Sequence, residues 1–474
     1  FKNIPYAKPP VGPLRWAPPQ PLDNSSEVYE STVFGPSCPQ YISAIPSAWA
    51  LNIIGNLIVN YGQSLTAGEV AQNSAEYCLT IAIWTPADVT PDSKLPVVHY
   101  LTGGGDVTGG INIPTQLPAQ WVHRSQSHIV VTTNYRVNIF SFPNAVGLNG
   151  STNFGLQDQR LAVEWVAENI AAFGGDASKI TLWGQSAGAG ATDQYLFSHY
   201  QDPIIRASIS SSGVAINRRA NPDTAGTNFT FVAKSLGCDF CDPKVELQCM
   251  RTVPVQRIEN FVGQYQDNST LVDPSQPAIA FTRAVDNKTV FSDYTERTLD
   301  GRIAQLPKII GTTAREAALL VPYPVPYTQP VLPKSWSTRA LSALSALPIT
   351  LVFTGMKLDL IHGGNFSKIN GNVPWLGAYH YADLYMLFGT YLIAPGEITD
   401  LERQTSERMQ DLFLDFITDP ESIDGWPLYQ AENSGDGGSS IARFGTDGQA
   451  LQLVDGVEVE GACYNSSITY DTTP

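Results

Sequence analysis

Charge is scarce in this chain. Asp, Glu, Lys and Arg make up 15% of its 474 residues, against about 25% in an average globular protein. Basic residues are the scarcer sign, 28 against 44 acidic ones, which leaves a formal charge of −16. Nucleic acid is therefore not an expected partner, because phosphate contacts need a basic face. Disorder is excluded too, since it requires low hydrophobicity and high charge, and 43% of the chain is hydrophobic. No apolar run reaches the roughly 20 residues of a membrane-spanning helix. No secretory leader is visible before Phe1, so the sequence is expected to begin past its natural start. The scarcity is most extreme between Ser31 and Gly68, where no Asp, Glu, Lys or Arg occurs at all. Within that segment Ile45 to Val59 is strongly apolar, which suits either a buried helix or an apolar flap.

What is present points outside the cell. The chain has six cysteines, an even number, and seven Asn-x-Ser/Thr sequons at Asn24, Asn149, Asn228, Asn268, Asn287, Asn365 and Asn465. Together they suggest a secreted, glycosylated protein with disulfides. No repeat, charge block or long linker divides the chain. Leu95–Leu101, Ile129–Thr133, Ile180–Trp183, Lys308–Gly311 and Thr350–Thr354 read as buried strands. Asp158–Ala172 carries Leu161, Val163, Trp165, Val166 and Ile170 at helical spacing. Strands alternating with helices predict an α/β fold around a mostly parallel sheet covered on both faces. A Gly/Ser turn at Ser434–Gly438 precedes a last strand-like run, Leu451–Glu458.

One motif carries chemistry. Gly184-Gln185-Ser186-Ala187-Gly188 is the only Gly-x-Ser-x-Gly in the chain, with a strand before it and a helix-compatible small-residue run after it. That is the context of a nucleophile elbow, where a serine sits on a strained strand-to-helix turn and flanking glycines make room for neighbouring backbone. A serine hydroxyl is a weak nucleophile, so it needs a base, an orienting carboxylate and an oxyanion site. Gly103-Gly104-Gly105 after the Leu95–Leu101 strand suits such a site, although three glycines also suit a plain tight turn. His99, His123, His128, His199, His362 and His380 compete for the base. If the acid and base follow the serine in the chain, His199, His362 and His380 remain.

The blocks Phe154-Gly155-Leu156-Gln157-Asp158-Gln159-Arg160, Phe173-Gly174-Gly175-Asp176 and Gly184–Gly188 resemble the type-B carboxylesterase/lipase family of α/β-hydrolases. The resemblance starts at Ile4-Pro5-Tyr6-Ala7-Lys8-Pro9-Pro10-Val11-Gly12 and recurs as far as Trp426-Pro427-Leu428-Tyr429. It implies a single α/β-hydrolase domain over 1–474. The family's acid is a glutamate after a strand ending in Gly-Thr, which falls on Glu316. Its base lies in a Gly-x-x-His-x-x-Asp/Glu-Leu block, matched by Gly377 to Leu384, which falls on His380. The implied triad is Ser186, Glu316 and His380, with Gly104, Gly105 and Ala187 as oxyanion donors. Ion pairs Arg15–Glu76 and Arg136–Asp158 are implied on the same basis. So are disulfides Cys38–Cys78, closing a lid-like loop over 38–78, and Cys238–Cys249, with Cys241 and Cys463 left as the third pair.

Five positions depart from the family pattern, one of them Tyr77 in place of the usual Asp beside Cys78, and four bear on the site. Gln185 replaces the usual Glu before the serine, which counts against cationic choline esters. Thr102 stands before the glycines, where His or an aromatic is usual. Asp106 stands after them in place of an aromatic, where a carboxylate opposes an oxyanion unless it points away. Arg315 replaces the usual Asp before the acid. The resemblance implies a secreted serine carboxylic-ester hydrolase with no metal or organic cofactor. An apolar, lid-like loop at 38–78, free of charge as far as Gly68, favours lipophilic small-molecule esters, and would suit a lipid surface or a second copy of the chain. An acyltransferase using the same triad, or a binding protein that has lost catalysis, are the alternatives.

Overall fold

The computed structural model describes the chain apart from residues 24, 27, 48–62, 151, 218–220, 317–354, 361–376, 395, 424–425, 427–428, 430–439 and 457–474. In chain order the strands are β1 (Ile4–Pro5), β2 (Tyr41–Ile42), β3 (Glu69–Val70), β4 (Thr80–Trp84), β5 (Leu95–Leu101), β6 (Ile129–Thr133), β7 (Gly175–Gln185), β8 (Ala207–Ser211), β9 (Lys308–Thr313), β10 (Gly355–Leu360), β11 (Ser440–Thr446) and β12 (Gln449–Asp455). Ten of them form one sheet in the order β1-β4-β6-β5-β7-β8-β9-β10-β11-β12. From β6 to β11 every pairing is parallel, while β1, β4 and β12 join antiparallel at the edges. This is the α/β-hydrolase arrangement that the sequence predicts.

The apolar runs explain why the sheet is buried on both sides. Side chains alternate across a strand, so Val97 and Leu101 join Ile129, Val131, Ile180 and Leu182 on one face. That face packs against the helix Phe154–Asn169 through Ala162, Val163 and Val166. Val98, Tyr100, Val130, Trp183 and Ile209 line the other face, beneath the helices Ala382–Leu387 and Asp400–Thr418. The Phe154–Asn169 helix begins four residues before the periodic apolar pattern and gives way at Ile170 to a 3-10 turn ending on Gly174 at φ +86°. The strand read at Thr350–Thr354 lies outside the described residues, and the described strand is β10.

Both implied ion pairs form. Arg15 Nε and Nη2 donate to the two Glu76 carboxylate oxygens at 2.7 and 2.6 Å. Arg136 Nε and Nη2 grip Asp158 at 2.8 and 2.6 Å. Cys38 is bonded to Cys78 and Cys238 to Cys249. Cys241 is exposed and outside these two disulfides, and Cys463 lies outside the described residues. At the stem of the 38–78 loop β2 pairs with β3. The stem is pinned to the helix Val255–Leu271, whose Asp267 accepts from Tyr41 Oη, Ser43 Oγ and the Ala44 N–H. Most of Ile45–Val59 lies outside the described residues. Among those described, no helix is long and apolar enough to cross a membrane.

Candidate active site

β7 ends at Gln185 and a helix, Ala187–Ser198, starts at Ala187, so the whole reversal falls on Ser186. Its backbone sits at φ 56°, ψ −118°, a region that strains a residue with a Cβ and persists only when neighbours enforce it. Here the Ser186 N–H donates to Ser211 O at 2.8 Å, and Ser186 O accepts from Gly190 at 3.0 Å. The flanking glycines are required by contact. A Cβ on Gly184 would lie 2.1 Å from Gly188 O, and one on Gly188 would lie 2.1 Å from Leu101 O.

The glycine loop after β5 closes against this turn. Gly104 O accepts from Val107 and Thr108, both at 3.0 Å, with Gly104 at φ +117° and Gly105 at φ +66°. A Cβ on Gly103 would stand 2.8 Å from Gln185 O and 3.0 Å from Ser186 Cβ. Loop backbone and serine are therefore in van der Waals contact.

Glu316 and His380 meet from two chain segments 64 residues apart. Next to β9, the Arg315 N–H donates to Ala378 O at 2.9 Å, which docks the histidine segment against the end of the strand. Glu316 Oε1 accepts from the Thr313 N–H at 2.7 Å and Thr312 Oγ1 at 2.8 Å, while Oε2 faces His380 Nδ1. Burial alone would raise the Glu316 pKa. The facing imidazole and the hydrogen bonds outweigh it and hold the carboxyl at about 2. On the other side of the ring, His380 Nε2 lies 3.3 Å from Gln185 Nε2. The histidine thus spans from Glu316 to the residue beside Ser186.

The other histidines lie elsewhere. His99 is buried within β5, with Nε2 2.6 Å from Thr133 Oγ1. His128 packs on Trp121 and His199 on Tyr195, while His123 is exposed and His362 lies outside the described residues. Among the described residues no cluster of three His, Cys, Asp or Glu side chains is placed to hold a metal.

Two features have surroundings that the sequence does not reveal. Asp383, three residues after His380, is buried and neither carboxylate oxygen has a hydrogen-bond partner among the described residues. Burial, with the nearby Glu316 charge, pushes its pKa up to about 7. The second feature concerns Asp106, whose carboxylate is neutralised by Arg283 at 2.6 Å, both side chains being almost fully buried. The oddity of an acid after the glycines was legible. Its partner, 177 residues away, had no sequence signal.

The model of the carboxylesterase family matches residues 1–345. The chain belongs to the carboxylesterase family. As a member it stands among carboxylic-ester hydrolases. A secreted lipase 5 of Gibberella zeae is 38% identical over 98% of this chain and 89% of its own length. A chlorogenic acid esterase of Aspergillus niger is 37% identical over 97% and 89%, and lipase 4 of Diutina rugosa 31% identical over 77% and 67%. Within the family's shared frame, the site brings together Ser186, the glycine loop, Glu316 and His380.

Proposed function

We propose that the protein is a secreted serine esterase that uses Ser186 as nucleophile, His380 as base and Glu316 as orienting acid. The observation that carries this reading is the bridging position of His380. Its Nδ1 is held by an ionised carboxylate and its Nε2 lies beside the neighbour of the strained serine. In the first half-reaction His380 Nε2 removes the Ser186 proton as Oγ attacks the ester carbonyl. The backbone N–H groups of Gly104, Gly105 and Ala187 receive the developing oxyanion. His380 returns the proton to the leaving alcohol, which departs and leaves an acyl-enzyme. Water, deprotonated by His380, then attacks the acyl carbon, and the carboxylic acid leaves as Ser186 Oγ takes that proton back from His380. Glu316 stays ionised throughout, fixes the ring and stabilises its charged form.

We read the substrates as uncharged, lipophilic small-molecule esters. Support comes from the charge-free Ser31–Gly68 segment, from Gln185 in place of an acid, and from relatives named as a secreted lipase and as an esterase of chlorogenic acid. The sequons, two of which (Asn149 and Asn287) are exposed, agree with a secreted glycoprotein. A lipid surface and a second copy of the chain remain partners that the apolar loop would suit.

The test is Ser186→Ala against a series of p-nitrophenyl esters. Turnover should fall by at least about 10⁴-fold with the unfolding midpoint unchanged. For the unaltered enzyme, kcat/KM should rise by up to about fourfold per added acyl methylene, the equivalent of ~0.8 kcal/mol, until the pocket is full. Near-normal turnover in Ser186→Ala would remove the serine assignment, and a flat acyl series would remove the lipophilic one.

A further inference from the structure

The proposed oxyanion site is assembled from two separate pieces of backbone: the glycine loop after β5, and the first turn of the helix after Ser186. Neither piece alone fixes where the other lies. Their N–H groups must nevertheless converge on one oxygen, and misplacement by about an ångström is enough to lose most of their effect.

A single side chain joins the two pieces. Arg283 Nη2 donates to Asp106 Oδ1 at 2.6 Å, directly after Gly105, and to the carbonyl of Ala187 at 2.8 Å. Nη1 donates to Gln194 Oε1 at 2.6 Å, two turns along the same helix. The Asp106 backbone sits at φ +71°, and its carbonyl accepts from the Asn138 N–H at 2.7 Å, so the end of the loop is held from both sides. The arginine is itself fixed. Its carbonyl accepts from the Asn221 N–H at 2.9 Å, and the adjoining Ala284 exchanges two hydrogen bonds with the Asn153 side chain at 2.8 and 2.9 Å. Arg283 and Asp106 are 2% and 1% exposed. The guanidinium is a rigid planar fork, so donating to three acceptors sets angles between them as well as distances. An ammonium in the same place would supply charge without that geometry.

We infer that Arg283 is a positioning residue for ester hydrolysis, locking the glycine loop to the nucleophile helix so that the oxyanion donors converge. This rests on the serine-esterase reading above. It also accounts for Asp106. The carboxylate is the loop's handle for the arginine, and in that pairing it no longer opposes an oxyanion.

The experiment compares Arg283→Met, the charge-free pair D106L/R283M, and Arg283→Lys. Hydrolysis of a p-nitrophenyl ester is measured together with inhibition by an alkyl trifluoromethyl ketone. That inhibitor forms a tetrahedral adduct and therefore reports on the oxyanion site. Arg283→Met should lower kcat about 30- to 100-fold with KM within threefold, and weaken the ketone by the same factor. D106L/R283M, which leaves no buried charge unpaired, should show the same two losses. Arg283→Lys should stay at least about tenfold down in both, and it supplies the readout if the methionine variants do not fold. A kcat within threefold of the unaltered enzyme in any folded variant would overturn the inference, as would unchanged ketone binding. Restored activity in D106L/R283M alone would show that Arg283 merely neutralises Asp106, and would overturn it too. Failure of the serine-esterase reading would show separately, as turnover retained by Ser186→Ala.

Discussion

Two arginine–carboxylate pairs are equally buried and are built differently. Arg136 and Asp158 make a two-pronged contact, closed further by the Arg136 N–H on Asp158 Oδ2 at 3.0 Å, and are 2% and 0% exposed. The acid is on the Phe154–Asn169 helix and the base 22 residues earlier, just after β6. Arg283 gives Asp106 only Nη2, which also donates to the Ala187 carbonyl, while Nη1 donates to Gln194 on the helix after Ser186 and Nε has no partner among the described residues. The first pair also reaches a third point, with Arg136 Nη1 donating to the Ala17 carbonyl at 2.8 Å, but it joins only fold elements. The second is a bridge whose third point is at the candidate active site. Similar burial and similar chemistry therefore point to different roles: stability for one, geometry of the reacting groups for the other.

The largest effect expected from this contrast is on stability. Asp158→Asn leaves the Arg136 guanidinium buried without its counter-charge, which should destabilise the fold by about 3–5 kcal/mol. The midpoint of urea unfolding should fall accordingly, while kcat of the folded fraction stays within threefold. A kcat loss comparable to that of Arg283→Met would erase the distinction between the pairs. Replacing both Arg136 and Asp158 by apolar residues should be much milder than the single change, because no unpaired charge remains.

The two pairs also show what was legible in the sequence. Arg136–Asp158 followed from the family resemblance, whereas Ser186 was legible in its own motif, because a strand, a reversal and a helix within fifteen residues impose local demands. The sheet was legible where β-branched residues run together, as in Leu95–Leu101 and Ile129–Thr133. It was not legible at β8, whose Ala-Ser-Ile-Ser-Ser is fully buried yet carries little apolar signal. β7 likewise extends back to Gly175 through Asp176, Ser178 and Lys179, polar residues that sit at the partly exposed start of the strand. Glu316 and His380 needed the family resemblance, since six histidines offered no local ground for choice. Arg283 lay beyond both routes: it sits in an irregular stretch, and the contact that defines it is made only in three dimensions.

A third buried acid has no arginine partner among the described residues, which sharpens the comparison. Glu259 is fully buried on the Val255–Leu271 helix. Its one hydrogen bond is from Asn138 Nδ2 at 3.3 Å, and Oε1 has no partner among the described residues. Burial raises its pKa from 4.5 to about 8, against a smaller pull from Asn138. A carboxyl with a raised folded pKa holds its proton where the unfolded chain has released it. Its contribution is therefore most favourable below about pH 4.5 and is lost as pH rises towards 8. Glu259→Gln should remove that slope. The variant should be more stable than the unaltered protein at pH 8, by up to about 4 kcal/mol, with the advantage gone near pH 4.5. Parallel stability–pH curves for the two proteins would show that Glu259 is ionised at neutral pH and has a counter-charge after all.

The smallest effect belongs to a pair that repeats the two-pronged geometry of Arg136–Asp158 in water. Arg124 Nη1 and Nη2 donate to the two Asp411 oxygens at 2.5 and 3.0 Å, but the side chains are 31% and 42% exposed. If two-pronged geometry set the strength of an ion pair, Asp411→Asn would rival Asp158→Asn. Solvent argues otherwise. Exposed charges keep most of their hydration when unpaired, and salt screens their attraction, so such pairs contribute about 1 kcal/mol or less. Asp411→Asn should therefore shift the urea midpoint by an amount equivalent to less than about 1 kcal/mol, and the shift should shrink further in molar salt. Asp158→Asn should keep nearly all of its penalty in the same salt, since water and ions do not reach it. A loss at Asp411 as large as that at Asp158, or one unaffected by salt, would mean that geometry rather than burial separates these pairs.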